Sequence, residues 1–452
     1  MALKQMDALA ALREAAGEVI ETSLCDVQGN WLALVNAEEG KRLAFAANGE
    51  AALSALWKDV EKEADVKDVH VSVMALNANN AALVRRYVKW TAPTACGTKG
   101  ASIGFSDWLG EADAVVAELF GKRQLKPVLV DFTTEDSEAL QRYFVQAVDT
   151  ATWGVLEEGY KEGYGANAAG LKTEEEIVKA LLYGYSMIGF DCSDKIDLGI
   201  EKLSDEAVDK RFEQFNETFR AALHASYLNA EFKVGTSKIT FTENQLHRIV
   251  LEYGEAIMHI QFIYNSYLKN TPWDIDFELD LSKPGKVLTP QEHYLIGNEL
   301  QRNGIKLSSI CLDPLKDSEA VNDNLPLHCE PAASFGYRLS FKNADIAMND
   351  TAAAMKYLKG KVHFKMNNIL WMSAIELVKA LDADLFGKLC AACGCEATAD
   401  AADRALVLGY RKALNPKEES NVAADMKAFL EAHHAEYAAA IKENVAAKLK
   451  NI

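Results

Sequence analysis

The feature that most constrains the fold is a regular alternation of short apolar strands with helical segments, which begins near Ala101 and runs through most of the chain. Eight segments are predicted as strands, at residues 101–106, 127–131, 187–191, 275–280, 306–311, 337–342, 361–366 and 405–409. Helical patterns fall between them, and repeated strand–helix units with parallel strands are typical of the α/β class and of a (β/α)8 TIM-type barrel. In such a barrel the functional site is built at the carboxyl ends of the strands.

Three regions are predicted around this alternation. Residues 1–95 are expected to form an N-terminal α+β cap, residues 96–420 the barrel with a helical insertion at about 200–270, and residues 421–452 a C-terminal helix. Within the cap, the Asn48-Gly49 pair is expected to begin a helix that continues to about Lys62. The insertion is predicted as two long helices, 205–227 and 244–269, on either side of a hairpin at 232–241. The alanine-rich C-terminal helix suits a brace or a contact between copies, so we expect a homo-oligomer.

Four glycines follow one another closely between the second and third predicted strands. Gly154, Gly159, Gly163 and Gly165 are too many for one uninterrupted helix, because glycine disfavours the helix interior. Their spacing predicts that another part of the chain approaches this backbone closely.

Charged residues alternate with apolar ones in three of the predicted strands. Alternation places on one face Asp276, Glu278 and Asp280 of the fourth strand, Arg338, Ser340 and Lys342 of the sixth, and Lys361, His363 and Lys365 of the seventh. Because the apolar faces must meet the helices, the charged faces are expected to point into the barrel. Charge buried there must be matched by an opposite charge, a metal ion or a ligand.

This interior charge has two interpretations, and the spacing alone does not choose between them. In the functional one, Glu278 and Asp191 are oxygen ligands of a divalent metal, His363 is a nitrogen ligand, and Lys342 or Lys365 holds a substrate carboxylate. Glu278, Lys365 and Lys342 are then the candidate catalytic residues. In the other, the same side chains form an ion-pair lattice that only fills the barrel.

The net charge of -18 argues against nucleic acid and anionic membranes as partners, since both would repel the chain. No signal peptide and no apolar run of about 18 residues is found, so we expect a cytoplasmic protein. Eight cysteines in 452 residues fit a reducing compartment. Cys390, Cys393 and Cys395 form a C-x2-C-x-C motif, which is expected to hold no metal because no fourth ligand lies nearby.

Several motifs lie in and after the glycine-rich stretch. They are Trp153-Gly154-Val155, Glu158-Gly159-Tyr160, Glu162-Gly163, Gly165-Ala166 and Asp191-Cys192-Ser193-Asp194. These motifs resemble the tagaturonate epimerase family, also called fructuronate-tagaturonate epimerase. The resemblance covers roughly half the chain and implies a metal-dependent epimerase of hexuronate metabolism, an isomerase on a TIM-type barrel. Glu278, His363 and Lys365 lie where the family carries the same residue types.

The resemblance also implies a reaction. Tagaturonate and fructuronate differ at a carbinol carbon β to the ketone, whose proton is not acidic, so simple deprotonation cannot epimerise it. A retro-aldol cleavage and re-addition would work, with the metal stabilising an enediolate and Glu278 moving the hydroxyl proton.

Several polar positions of the family are changed in this chain. The changed positions are Gly97 to Ala101, Ala169-Gly170, Phe341 at the start of a polar run, and Val407 on the predicted eighth strand. Neither phenylalanine nor valine has a lone pair to offer a metal. The alternative function is therefore a catalytically lapsed homologue that serves as a binding, scaffold or assembly subunit.

Overall fold

The computed structural model describes residues 2–450 and 452, except 39, 50–53, 122, 124, 282–287, 316–317 and 349, and of residues 318–320 the backbone only. The strands are β1 Glu18–Val27, β2 Asn30–Ala37, β3 Gly40–Asn48, β4 Val60–Val66, β5 Val69–Met74, β6 Ser102–Phe105, β7 Lys126–Thr133, β8 Gly165–Leu171, β9 Met187–Asp191, β10 Phe232–Val234, β11 Ser237–Ile239, β12 Asp276–Asp280, β13 Ser309–Leu312, β14 Arg338–Phe341 and β15 Val362–Met366. Among the described residues, no helix combines the length and apolar character needed to cross a bilayer.

Twenty α-helices are described along the chain. They are α1 Gln5–Ala16, α2 Ala78–Tyr87, α3 Asp113–Phe120, α4 Thr134–Leu140, α5 Phe144–Glu158, α6 Glu174–Leu182, α7 Asp205–Phe212, α8 Glu217–Tyr227, α9 Glu243–Ile263, α10 Pro290–Arg302, α11 Ser318–Asp323, α12 Leu325–Phe335, α13 Ala344–Ala347, α14 Thr351–Tyr357, α15 Ile369–Leu381, α16 Ala383–Cys393, α17 Arg404–Leu408, α18 Tyr410–Ala413, α19 Ala423–Ala432 and α20 His434–Leu449.

Eight parallel strands close into a barrel, in the order β12-β13-β14-β15-β6-β7-β8-β9. Strands that follow one another in the barrel part of the chain are neighbours in space, and β15 pairs with β6 to complete the ring. Apolar residues of the strands pack outward with the helices in one large core, as Leu279 and Phe364 do. The predicted (β/α)8 barrel of the α/β class is confirmed.

One barrel strand was placed wrongly by the sequence pattern. The third barrel strand is β8, which was not predicted, and the segment predicted as the eighth strand, 405–409, instead forms most of helix α17 and the residue that ends it. A short apolar run such as Ala-Leu-Val-Leu reads equally well as a buried helix or a buried strand. The sequence of β8, Gly-Ala-Asn-Ala-Ala-Gly-Leu, has no β-branched or aromatic residue, so its strand character comes from pairing with β7 and β9 rather than from propensity.

The N-terminal region forms an antiparallel sheet in the order β1-β2-β3-β5-β4. Alternate residues of β2 enter two cores: Ala33 and Val35 pack with α1, while Leu32 and Leu34 pack with residues of α2. The helix predicted to reach Lys62 is wrong, because residues 60–66 are the edge strand β4 and residues 50–53 lie outside the described part. The sequence Val-Glu-Lys-Glu-Ala-Asp-Val is rich in helix formers, and pairing with β5 overrides that preference.

The helical insertion lies between β9 and β12, with the predicted hairpin present as β10 and β11. The first predicted long helix is two helices, α7 and α8, and the predicted C-terminal helix is also two, α19 and α20. Helix α20 packs on the barrel, where Tyr437 is buried and donates a hydrogen bond to the carbonyl of Leu370 at 3.2 Å.

The glycine-rich stretch ends helix α5, and two of its glycines are required by close contacts. A Cβ at Gly154 would lie 2.7 Å from the backbone nitrogen of Ala114 on α3, and one at Gly159 would lie 2.5 Å from the carbonyl oxygen of Thr22 on β1. Gly159 also adopts a left-handed conformation with φ of 60°. The predicted close approach to this backbone is therefore present, from both a barrel helix and the N-terminal sheet.

Replacing Gly154 with alanine is expected to lower the free energy of unfolding by about 1–3 kcal/mol, because helices α3 and α5 must move apart. Gly254→Ala on α9 is the matched control, since apart from the adjacent backbone of its own helix no described atom lies within 4 Å of its added Cβ. That change is expected to stabilise the protein by up to about 1 kcal/mol through helix propensity. Urea denaturation of both variants measures the difference, and equal effects would contradict the packing argument.

Candidate active site at the barrel mouth

A cavity of about 530 Å³ opens at the carboxyl ends of the barrel strands. Its charged lining includes Asp131, Lys172, Asp191, Asp280, Lys342 and Lys365. Three of the predicted site residues, Asp191, Lys342 and Lys365, therefore line one cavity. The other two, Glu278 and His363, are buried in the barrel interior and are not part of this lining.

Glu278 and Lys365 form an ion pair just inside the barrel. Lys365 Nζ lies 2.5 Å from Glu278 Oε1 and 3.5 Å from Asp131 Oδ1. The other oxygen of Glu278 accepts hydrogen bonds from Ser309 Oγ, at 3.0 Å, and from Ser340 Oγ. The lysine thus neutralises two buried carboxylates, which would otherwise be costly to bury.

The pKa shifts follow from this arrangement. Burial raises the pKa of Glu278, but Lys365 and the neighbouring His363 together outweigh this effect, so the pKa is lowered overall. Burial likewise opposes ionisation of Asp131, and Lys365 with the neighbouring His363 lowers its pKa to about 2. Burial lowers the pKa of Lys365, but the charges of Asp131 and Glu278 together outweigh this effect and raise the pKa above its usual value. All three groups are charged at neutral pH.

A second layer of polar contacts lies deeper in the barrel. Ser102 Oγ is 2.9 Å from His363 Nδ1 and accepts a hydrogen bond from Arg338 Nη1 at 2.8 Å. Asp276 lies 3.8 Å from Arg338 Nη2 and accepts hydrogen bonds from the backbone nitrogens of Cys96, at 2.6 Å, and residue 97. These contacts match the ion-pair lattice interpretation. Lys361, also predicted to face inward, precedes β15 and is only half-buried.

The mouth carries its own ion pairs. Lys342 pairs with Asp280; burial lowers the pKa of Lys342, and Asp280 raises it well above its usual value. Asp191 accepts a hydrogen bond from the backbone nitrogen of Ser193 at 2.8 Å and lies 3.8 Å from Lys172 Nζ. Asp191 is thus a rim residue, separate from the Glu278 and Lys365 pair inside.

The predicted metal ligands Glu278, His363 and Asp191 do not fit a shared divalent ion. Both oxygens of Glu278 are occupied, and none of the three belongs to a group of three or more ligand atoms within 4.8 Å of one another in the described residues. His363 Nε2 and Asp131 Oδ2 are buried without a hydrogen-bond partner, 3.8 Å apart. Lys365 pairs with Asp131, however, and its charge would repel an added dication.

The positions where this chain lacks polar residues of the family lie in different parts of the structure. Phe341 faces the helix layer and stacks on Phe364, with ring centroids 5.9 Å apart, so a histidine there would not reach the barrel interior. Val407 is buried on helix α17 rather than on a barrel strand. Gly97 lies at the opposite end of the barrel, beside Asp276. Only Ala169-Gly170 lines the cavity.

Comparison with known proteins places this barrel in a family. A sequence model described as tagaturonate epimerase matches residues 20–436. The chain belongs to the tagaturonate epimerase family. Within it, the tagaturonate/fructuronate epimerase of Thermotoga maritima is 27% identical over 383 residues, which are 82% of this chain and 78% of that protein.

Solved structures of the family share the whole fold. Crystal structures of fructuronate-tagaturonate epimerase from Cohnella laeviribosi, one with a glycerol and one native, match with TM-scores of 0.86 and 0.83. Each comparison covers 99% of both chains at 24% sequence identity. This likeness supports the tagaturonate epimerase fold over the full length of the chain.

Sequence reasoning missed two residues of the site, Asp131 and Asn167. Asn167 Nδ2 donates a hydrogen bond of 2.9 Å to Asp131 Oδ1, which leaves Asp131 Oδ2 as the oxygen without a partner. Asp131 is the last residue of the predicted strand 127–131, and an acidic residue at the carboxyl end of a barrel strand could have identified it as a site residue. Asn167 lies on β8, which was not recognised as a strand.

The cysteine motif lies away from the barrel interior, on and just after helix α16. Cys393 Sγ contacts the carbonyl oxygen of Leu406 at 3.8 Å, and burial raises the pKa of Cys393 to about 12. A protonated thiol is a poor metal ligand. The expectation that these thiols hold no metal stays a prediction.

Proposed function

We propose that the chain is a sugar-acid epimerase that acts on a keto-hexonate such as tagaturonate or fructuronate at the barrel mouth. The activities of its relatives and its membership of the family support this proposal. The observation that carries it is the cavity itself, which is lined by two lysines, Lys342 and Lys365, and by the carboxylate residue Asp131. An anionic polyol needs both kinds of group.

The two lysines suit different roles. The side chain of Lys342 is 23% exposed, so a substrate carboxylate can reach it and share it with Asp280. The side chain of Lys365 is 2% exposed and already serves Glu278 and Asp131. We therefore assign Lys342 to the carboxylate, and Lys365 to the negative charge that develops on the reacting part of the substrate.

The reaction proceeds by retro-aldol cleavage and re-addition. The carboxylate of Asp131 accepts the proton of the β-hydroxyl while the bond between that carbon and the α-carbon breaks, and the electron pair moves to the ketone oxygen as an enediolate. Lys365 stabilises the enediolate oxygen as an ammonium ion. The aldehyde turns its other face, the carbon–carbon bond re-forms, and Asp131 returns the proton to the new hydroxyl.

Glu278 has a different role from the one expected from the sequence. With both of its oxygens occupied and outside the cavity lining, it is a positioning residue that holds Lys365 rather than a base. No step is assigned to a metal ion, because the barrel ligands do not fit one. The lapsed-homologue alternative loses much of its argument, since Phe341 and Val407 do not face the barrel interior.

Substrate binding gives a direct test. Lys342→Met is expected to weaken tagaturonate binding about 10- to 100-fold, because a hydrogen bond to a charged group contributes about 1.5–3 kcal/mol. Isothermal titration calorimetry measures the change. Lys179→Met, on the exposed face of α6, is the matched control and should bind as the wild type does.

A neutral ligand completes the design. D-tagatose carries a hydroxymethyl group in place of the carboxylate, so its weaker binding should not fall further in Lys342→Met. The proposal would be contradicted if the wild-type protein bound neither tagaturonate nor fructuronate. It would also be contradicted if Lys342→Met weakened the binding of tagaturonate and of D-tagatose equally.

A further inference from the structure

A cluster of potential metal ligands lies in the helical insertion, outside the barrel. His224 is on helix α8, and Glu243 and His247 are on helix α9, four residues apart and therefore on the same face. One ligand atom from each of the three lies within 4.8 Å of the others. Among the described residues, no other group of three or more His, Cys, Asp or Glu meets this distance.

The two imidazoles face each other through the same nitrogen. His224 Nε2 lies 2.9 Å from His247 Nε2. Two histidines bound to one tetrahedral zinc, at Zn–N distances of about 2.0–2.1 Å, hold their nitrogens about 3.3 Å apart. The rings therefore need to separate by only roughly 0.4 Å to admit the ion between them.

A carboxylate behind His247 prepares it for this role. Asp209 Oδ1 on helix α7 lies 2.7 Å from His247 Nδ1, so Nδ1 carries the proton and Nε2 presents its lone pair. Carboxylate–histidine–metal arrangements of this kind orient the ring and raise its basicity. The ring of Phe212 stacks on His247, with centroids 3.8 Å apart, and fixes the plane of the imidazole.

The local charge also differs from that of the barrel. Glu243 would contribute one negative charge to the ion, and Asp209 contributes a second behind His247. In the barrel, the ammonium of Lys365 already lies between the carboxylates of Glu278 and Asp131. The carboxylates of the insertion can therefore neutralise a bound dication, whereas those of the barrel interior are already neutralised by Lys365.

We propose that His224, Glu243 and His247 bind a divalent transition-metal ion, such as zinc, that joins helix α8 to helix α9. Three protein ligands leave one position for water. Glu243 and the imidazole of His224 are reachable from solvent, so the ion enters from outside without passing through the barrel. The ion stabilises the insertion and takes no part in the barrel reaction.

The test begins with full-length protein freed of metal by a chelator. Zn²⁺ titrated by calorimetry is expected to bind at one equivalent, and Co²⁺ at the same site is expected to give the absorption bands of a tetrahedral ion. His224→Gln, which removes a ligand, should weaken binding at least 100-fold, and Glu243→Gln, which replaces a carboxylate ligand with a neutral amide, about 10- to 100-fold. Asp209→Asn should also weaken binding about 10- to 100-fold, since loss of a partner behind a ligand commonly has that effect.

Two controls keep the test decisive. His434→Gln, an exposed histidine on α20, should bind zinc as the wild type does. Glu243 is exposed, so its variant is expected to fold, which circular dichroism checks. Zinc should also raise the unfolding temperature of the wild type but not of His224→Gln.

Two results would overturn the proposal. One is metal-free protein that takes up no zinc at 100 μM free ion. The other is one equivalent of zinc whose affinity is unchanged in both His224→Gln and Glu243→Gln, which would place the ion elsewhere. Neither result depends on whether the barrel turns over a sugar acid.

Discussion

Glu278→Gln is expected to lower the free energy of unfolding by about 3–5 kcal/mol, the usual cost of breaking a buried ion pair by removing one partner. Glu278 and Lys365 are each about 1% exposed, so water cannot replace the lost charge. The glutamine also places an NH2 group against Lys365 or against the serine hydroxyls that now donate to Glu278. Chemical denaturation of the purified variant measures the effect.

Controls separate the ion pair from a general sensitivity to substitution. Lys365→Met is expected to destabilise the protein as well, and the double variant Glu278→Gln/Lys365→Met should lose less than the sum of the two single changes. Glu175→Gln, which breaks an exposed pair with Lys179, should change nothing measurable. A Glu278→Gln protein within 1 kcal/mol of the wild type would show that this pair does not hold the barrel interior together.

The same buried groups determine how the stability of the protein changes with pH. Asp131 and Glu278 have pKa values that are lowered in the folded state, that of Asp131 to about 2. Their contribution to stability is complete above the unfolded-state pKa, near 4, and is lost as the pH falls toward 2. Wild-type stability should therefore decline below about pH 4, and Glu278→Gln should decline less steeply.

Asp131→Asn is expected to lower kcat on tagaturonate by at least about 100-fold, because the variant keeps the shape of the side chain but cannot accept a proton. Asp131 lines the cavity, and Lys365 Nζ lies 3.5 Å from its Oδ1. Steady-state kinetics measures kcat and KM separately, and circular dichroism checks that the variant is folded.

The matched control is Asp191→Asn at the rim. Asp191 was predicted from the sequence as a metal ligand, and as a ligand its loss would abolish activity. Asp191 contacts Ser193 and Lys172 at the rim and is assigned no step in the reaction, so its variant should retain most of kcat. A larger loss in Asp191→Asn than in Asp131→Asn would reverse the two assignments.

The sequence predicted the barrel and its charged interior because strand alternation is a local signal. Strands β12, β14 and β15 begin and end within a few residues of their predicted limits, and their inward faces carry the predicted charges. Strand β8 was missed because alanine and glycine give no strand signal, and Asn167 was missed with it. Which carboxylate pairs with Lys365 depends on distances between strands, and no local pattern contains those.

The histidine pair of the insertion was also beyond the reach of sequence reasoning. His224 and His247 are 23 residues apart on different helices, with a hairpin between them, and form no short motif. At Phe341 the sequence instead suggested a functional position that the structure does not support. Its place in the sequence suggested a lost ligand, whereas the pleat of β14 turns it toward the helices.

The most direct test of the account is to incubate the purified protein with tagaturonate in D2O, with and without added divalent metal, and to follow the sugar acids by ¹³C and ¹H NMR. Retro-aldol cleavage breaks a carbon–carbon bond and leaves the carbon–hydrogen bond of the epimerised carbon intact. Under this mechanism, fructuronate is expected to form and this carbon is expected to keep its protium. Formation of fructuronate that carries deuterium at this carbon would contradict the mechanism, and no fructuronate under either condition would contradict the proposed function.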